Sequence, residues 1–76
     1  MRKSSAMKRF VENAERIRLE RGISIQSLAD DIGMARAQLS RILGGYNNPT
    51  LETIERIAKG LKCDVSEFFE ELQVAA

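Results

Sequence analysis

Residues 25–44 read IQSLADDIGMARAQLSRILG, and their pattern predicts two short helices separated by a tight turn. Ser24 stands directly before this stretch as an N-cap, and Gly33 interrupts it with a residue that tolerates a positive φ. Ala29 is small enough to let a second helix cross the first closely. Two helices joined by a short turn containing glycine predict a helix-turn-helix, an arrangement that places its second helix in the major groove of DNA.

The rest of the chain has helical rather than alternating spacing of its apolar residues. It predicts an all-α, five-helix domain with helices over about residues 5–21, 25–32, 35–43, 51–61 and 64–73. The apolar stripes expected to face the core consist of Phe10, Ala14, Ile17, Leu28, Ala29, Ile32, Leu39, Ile42, Leu43, Leu51, Ile54, Ile57, Ala58 and Leu61. The last helix carries Val65, Phe68, Phe69 and Leu72, of which Phe68 is expected to point inward.

Capping residues mark the ends of several of these helices. Gly22 is expected to end the first helix in the left-handed conformation, and Thr50 to begin the fourth. Asp64 and Glu67 are spaced as a capping box at the start of the fifth helix. Residues 1–76 are therefore expected to form a single domain, with residues 1–5 as a flexible lead.

Composition narrows the functional classes. The chain has 76 residues, no histidine and a single cysteine, Cys63, so it offers neither an intramolecular disulfide nor a Cys/His metal motif. No catalytic motif and no membrane-length apolar stretch occur in it. We therefore expect no enzyme activity, no cofactor, no metal and no membrane partner. Charge is uneven, because residues 1–45 carry nine Lys/Arg against five Asp/Glu and residues 46–76 carry three against six.

The sequence resembles the lambda-repressor-like (XRE/Cro) helix-turn-helix family of transcriptional regulators. The resemblance runs from about residue 10 to residue 69, and the matching positions are Leu28-Ala29, Gly33, Leu39-Ser40-Arg41-Ile42, Gly45, Pro49 and Ile57-Ala58. It implies a five-helix domain, a recognition helix in the major groove and a homodimer on a palindromic operator.

The third helix carries the residues expected to contact DNA bases. Arginine matches the O6 and N7 acceptors of guanine, and alanine can contact a thymine methyl group. Arg36 also stands in the first turn, where the helix dipole disfavours a cation, and Ala35 stands where serine or threonine would cap better. The expected base-reading residues are Ala35, Arg36, Ala37, Ser40 and Arg41. An ordinary solvated helix face is the alternative.

Phosphate contacts are expected from residues that flank this helix. They are Ser24, Gln26, Gln38, Tyr46, Asn47 and Asn48. Relatives often carry glutamine directly after the capping serine, whereas this chain has Ile25 there, and plain turn chemistry is the alternative for the loop residues. Relatives also often pair an arginine at the Arg18 position with a glutamate where this chain has Leu43. Arg18 therefore either reaches phosphate or is neutralised elsewhere.

The apolar C-terminal segment suggests a dimer surface, because adjacent helical positions point about 100° apart and Phe68 and Phe69 cannot both enter one small core equally. Phe69, Leu72 and Val74 are the expected dimer contacts, and completion of the monomer core is the alternative. The overall hypothesis is an operator-binding repressor or autoregulator, cytoplasmic, nucleoid-associated and encoded by a bacterium or phage. RNA polymerase or a cognate protein are further candidate partners, and the competing hypothesis is an antitoxin or protein-interaction adaptor.

Overall fold

The computed structural model describes residues 5–70 of the chain. Here the chain forms four α-helices, α1 Ser5–Glu20, α2 Ile25–Ile32, α3 Arg36–Leu43 and α4 Leu51–Leu61, and then a 3-10 helix at Val65–Phe69. No strand and no helix able to cross a membrane occur among these residues. The expected flexible lead lies outside the described residues except for Ser5, where α1 already begins.

The predicted caps form as the local sequence indicates. Gly22 adopts a φ of 65° after α1. The Ser24 and Thr50 side chains accept hydrogen bonds from the backbone N–H groups three residues later, at 3.0 and 3.1 Å. The Asp64 backbone N–H donates to Glu67 Oε2 at 2.8 Å, which completes the capping box. These helix starts are therefore fixed by neighbouring side chains rather than by distant packing.

One core holds the elements together, with α1 against the 3-10 helix and α2 packed on both α3 and α4. The buried apolar residues are Phe10, Ala14, Ile17, Leu28, Ala29, Leu39, Ile42, Leu43, Ile57, Ala58, Leu61 and Phe68. Burial increases along α4, because Leu51 is 65% exposed, Ile54 is half-buried and Ile57 is fully buried. The prediction that Leu51 faces the core is wrong, since the first turn of α4 projects beyond it.

The prediction of a fifth α-helix over residues 64–73 is also wrong as far as residue 70, and its last three residues lie outside the described ones. A 3-10 helix ends at Phe69, and Glu70 already has extended backbone with φ −69° and ψ 143°. The buried Asn13 amide donates to the carbonyl oxygens of Phe68 and Glu70, at 2.9 Å each. In an α-helix over residues 64–73, the Phe68 carbonyl oxygen would instead accept from the backbone N–H four residues later. Asn13 therefore stabilises the tighter, shorter ending.

Candidate nucleic-acid interface

The turn between α2 and α3 has the geometry that the glycine predicts. Gly33 has φ 68° and ψ 41°, and its N–H bonds to the carbonyl oxygens of Ala29 and Asp30. The Met34 N–H donates to the Ala29 carbonyl at 2.9 Å. α3 then begins at Arg36 after an N-cap, Ala35, that makes no side-chain hydrogen bond. Three residues thus reverse the chain and bring the second helix across the first.

The inner face of α3 is buried and its outer face is exposed. Leu39, Ile42 and Leu43 lie in the core, at most 4% exposed. All the predicted base-reading residues are exposed: Ala35, Arg36, Ala37, Ser40 and Arg41. At about 100° per residue, Ala37 points most directly away from the core and Ser40 and Arg41 lie on either side of it. Arg36 lies on the Ser40 side, about 140° around the helix from Arg41, so the two guanidinium groups lie toward opposite edges of the exposed face.

Neither the Arg36 nor the Arg41 guanidinium group makes an ion pair or hydrogen bond within residues 5–70, whereas the guanidinium groups of other arginines in this range do. Arg18 donates to both Glu15 oxygens, at 2.7 and 3.0 Å, and to the Ile23 carbonyl at 2.7 Å. The hydrogen bond to Glu15 raises the pKa of the Arg18 guanidinium. Of the two alternatives for Arg18, the structure favours neutralisation elsewhere, by a carboxylate three residues earlier.

A polar cleft opens between α3 and the start of α4. Gln38, Asn47 and Asn48, three of the expected phosphate contacts, line it together. The remaining lining residues are Ile42, Pro49, Thr50 and Thr53. Thr50 and Thr53 are additional candidates that the sequence reasoning missed, because Thr50 was assigned only a capping role. Thr53 stands three positions after that cap, so their hydroxyl oxygens lie 3.0 Å apart on one helix face.

The other expected phosphate contacts lie outside this cleft. Ser24 and Gln26 are exposed at the start of α2, where Gln26 Nε2 donates to Asp30 Oδ1 at 2.9 Å. The Tyr46 side chain is 82% exposed, and its ring occupies the space beside Gly44. A Cβ added at Gly44 would lie 3.0 Å from Tyr46 Cε2, so the glycine leaves room for the aromatic ring. The structure thus divides the expected phosphate contacts between two surfaces that border α3.

Only one of the three expected dimer contacts, Phe69, lies within the described residues. Phe68 is buried, as expected, and its ring meets Phe10 edge to face with centroids 5.2 Å apart. Phe69 is half-buried and stacks on the same Phe10 ring at 6.5 Å. Leu72 and Val74 lie outside the described residues. Phe69 therefore contributes to the monomer core and also keeps part of its surface accessible.

Two further features of the described residues concern metal binding and the cysteine thiol. Residues 5–70 contain no group of three or more His, Cys, Asp or Glu side chains placed to hold a metal ion. Cys63 is half-buried, and burial raises the pKa of its thiol. A raised pKa disfavours the thiolate, the form in which cysteine acts as a nucleophile or a metal ligand.

Comparisons with known proteins point to one family. The sequence model described as Helix-turn-helix matches residues 15–68. A curated relative, the HTH-type transcriptional regulator SutR of Escherichia coli K12, is 34% identical over 61 residues, which cover 80% of this chain and 34% of that protein. The crystal structure of an HTH_3 family transcriptional regulator from Vibrio cholerae superposes with a TM-score of 0.78 at 29% identity, over 87% of this chain and 38% of that one. The chain thus spans little more than a third of the length of these relatives.

Proposed function

This chain belongs to the helix-turn-helix family, and on that premise we propose that it is a sequence-specific DNA-binding transcriptional regulator with α3 as its recognition helix. The exposed, unpartnered arginines of α3 carry this proposal. Within residues 5–70, the side chains of Arg36 and Arg41 are exposed, and their guanidinium groups bind no carboxylate or carbonyl group. A guanidinium group without an internal partner is available to bind the two acceptors of a guanine edge.

The remaining exposed residues of α3 complete the proposed base contacts. Ala35 and Ala37 present methyl groups that suit thymine, and Ser40 can donate to or accept from any base edge. The polar cleft beside α3 and the start of α2 supply the proposed phosphate contacts. They are Ser24, Gln26, Gln38, Tyr46, Asn47 and Asn48, with Thr50 and Thr53 added. Contacts of this kind fix the register of the protein on the duplex without reading its sequence.

We further propose that the protein acts as a homodimer on a palindromic operator, as a repressor or autoregulator in the bacterial cytoplasm, associated with the nucleoid. Two recognition helices should then lie about 34–36 Å apart, one turn of DNA. The accessible part of Phe69, together with Leu72 and Val74, is the proposed dimer contact. Repression would follow from occlusion of RNA polymerase, and contact with the polymerase or with a cognate protein is the secondary possibility.

The direct test is selection of binding sites from random duplexes, followed by affinity measurements on the selected site. Arg41→Ala is expected to weaken binding by about 1–3 kcal/mol and to relax specificity at one base pair. Lys59→Ala is the matched control, because it removes an exposed cation of α4 outside the proposed interface. Wild-type affinity in the double variant Arg36→Ala, Arg41→Ala would contradict the proposal.

Sedimentation separates the assembly proposal from the DNA proposal. A chain that remains monomeric while occupying its selected site would contradict the homodimer, and non-palindromic selected sites would do the same. If no duplex is selected at all, an adaptor or antitoxin acting through its apolar C-terminal segment becomes the better account.

A further inference from the structure

The carbonyl groups at the end of α2 receive a hydrogen-bond donor from α4. The turn uses the carbonyl oxygens of Ala29 and Asp30 for its own backbone hydrogen bonds. The carbonyl groups of Ile32 and Gly33 follow at the end of the helix. Arg56 Nη2 donates to the Ile32 oxygen and also lies 3.5 Å from the Gly33 oxygen. One guanidinium group thus holds the turn that connects the two helices of the motif.

We propose that Arg56 is a positioning residue, which fixes the orientation of α3 for DNA by holding the turn before it. This rests on the proposed function, because it treats α3 as the recognition helix. Arg56 lines a cleft separate from the proposed interface. The other residues that line it are Asp31, Ile32, Lys59, Gly60 and Lys62. None of the proposed base-reading or phosphate-binding residues is among them.

The electrostatics of α2 explain why a cation is needed at this point. A helix C-terminus carries partial negative charge and is stabilised by nearby cations. The last turn of α2 has no basic residue, and it carries Asp30 and Asp31, which add to the negative charge. The guanidinium of Arg56 therefore supplies from another helix the positive charge that α2 lacks.

The start of α3 has little other support. Its N-cap, Ala35, offers no side-chain acceptor, and the helix is only eight residues long. A binding site works only when its side chains are held within about 0.5 Å and 10–20° of the geometry that binds the ligand. Loosening the turn would therefore spread the exposed face of α3 over several orientations, of which few fit a groove.

The first test needs no DNA. Amide hydrogen exchange of Met34, whose N–H bonds to Ala29, reports directly on the closed turn. Arg56→Met is expected to accelerate this exchange about tenfold, the effect of one lost charge-assisted hydrogen bond, while the Ser27 amide at the start of α2 stays unchanged. Lys59→Met is the control and should leave the exchange rates of both amides unchanged. Unchanged protection of Met34 in Arg56→Met would overturn the proposal.

The second test uses the duplex selected by the wild-type chain, with affinities corrected for the folded fraction of each variant. Arg56→Met is expected to weaken binding about tenfold while the salt dependence of the affinity stays that of the wild type. Arg56→Lys keeps a charged donor group and should recover part of the lost affinity and part of the lost protection of Met34. This variant also provides a test if Arg56→Met does not fold. A salt slope reduced by about one would instead make Arg56 a phosphate contact and overturn the proposal. Wild-type affinity of the folded variant would overturn it too.

If the wild-type chain selects no duplex, the proposed function fails. The exchange result still decides whether Arg56 holds the turn.

Discussion

Replacement of the buried amide of Asn13 by a carboxylic acid should make the stability of this fold depend on pH. The Asn13 side chain is 0% exposed, and its Nδ2 lies 2.9 Å from the carbonyl oxygens of both Phe68 and Glu70. Its Oδ1 accepts from Arg16 Nη2 at 3.3 Å. In Asn13→Asp, an ionised carboxylate would face two carbonyl oxygens without a proton to offer them. The protonated acid can still donate to one of the two.

The folded protein therefore favours the neutral acid, and its pKa at this position should lie above the unfolded value of about 3.9. Below about pH 3.9 both states are protonated, and the variant loses about 1 kcal/mol for one missing hydrogen bond. As the pH rises toward the folded pKa, only the unfolded chain releases its proton. The free energy of unfolding then falls, relative to wild type, by at most about 1.4 kcal/mol per pH unit. Near neutral pH the total loss should reach about 2–4 kcal/mol.

The measurement is urea denaturation of wild type and variant over about pH 3 to pH 8, compared as a difference so that the acid sensitivity shared by both chains cancels. Asn13→Leu is the control, because it removes the same donors without adding a titrating group. Its deficit should be constant with pH. A deficit of Asn13→Asp that is also constant, or that grows toward acid, would refute the placement of this amide against the two carbonyl groups.

Three further substitutions test other parts of the structure. Ala35→Ser supplies the side-chain acceptor that α3 lacks and should raise the free energy of unfolding by about 1 kcal/mol in urea denaturation; no gain would mean that the α3 amides are already satisfied. A Cβ at Gly60 would lie 2.7 Å from Ile32 Cγ2. Gly60→Ala should therefore destabilise the protein by about 1–3 kcal/mol despite its better helix propensity, and a higher melting temperature would contradict the close contact of α2 with α4. Hydrogen bonds from Ser66 hold the pKa of Asp64 below its ordinary value of 3.8, so its contribution to stability is present above that pH and lost in stronger acid. Asp64→Asn should remove this acid-dependent contribution, and an unchanged acid dependence of unfolding would exclude it.

The features that sequence predicted well are those encoded by neighbouring residues. The caps at Ser24, Gly33 and Thr50 depend on contacts within four positions, and the structure confirms all three. The partner of Arg18 was equally local, since Glu15 is three residues earlier on the same helix. Spacing alone indicates that pair, since residues three apart on a helix are neighbours.

The features that sequence could not predict depend on distant contacts. Asn13 and Phe68 are 55 positions apart, and Arg56 and Ile32 are 24 apart, so no periodicity links either pair. The capping box at Asp64 indicated that a helix begins but not which kind. The Asn13 amide from α1 bonds to the end of that 3-10 helix, and the capping box does not indicate this contact. The grouping of Gln38 with the loop after α3 likewise appears only once α4 is in place.

Some arginines of this chain bond to the carbonyl groups at the end of a neighbouring helix, and within the described residues those of α3 do not. The ends of α2 and α4 receive side-chain donors, from Arg56 to the Ile32 carbonyl and from Arg21 to the Leu61 carbonyl. The end of α3 needs no such donor, because the backbone N–H groups of residues 44–46 bond to its last carbonyl oxygens. Arg41 therefore has no capping role to fill, and Arg36 stands at a helix start, where the dipole disfavours its charge. A helix whose C-terminal carbonyl groups are bonded by its own backbone and which still carries two exposed cations supports the proposal that α3 binds a polyanion such as DNA.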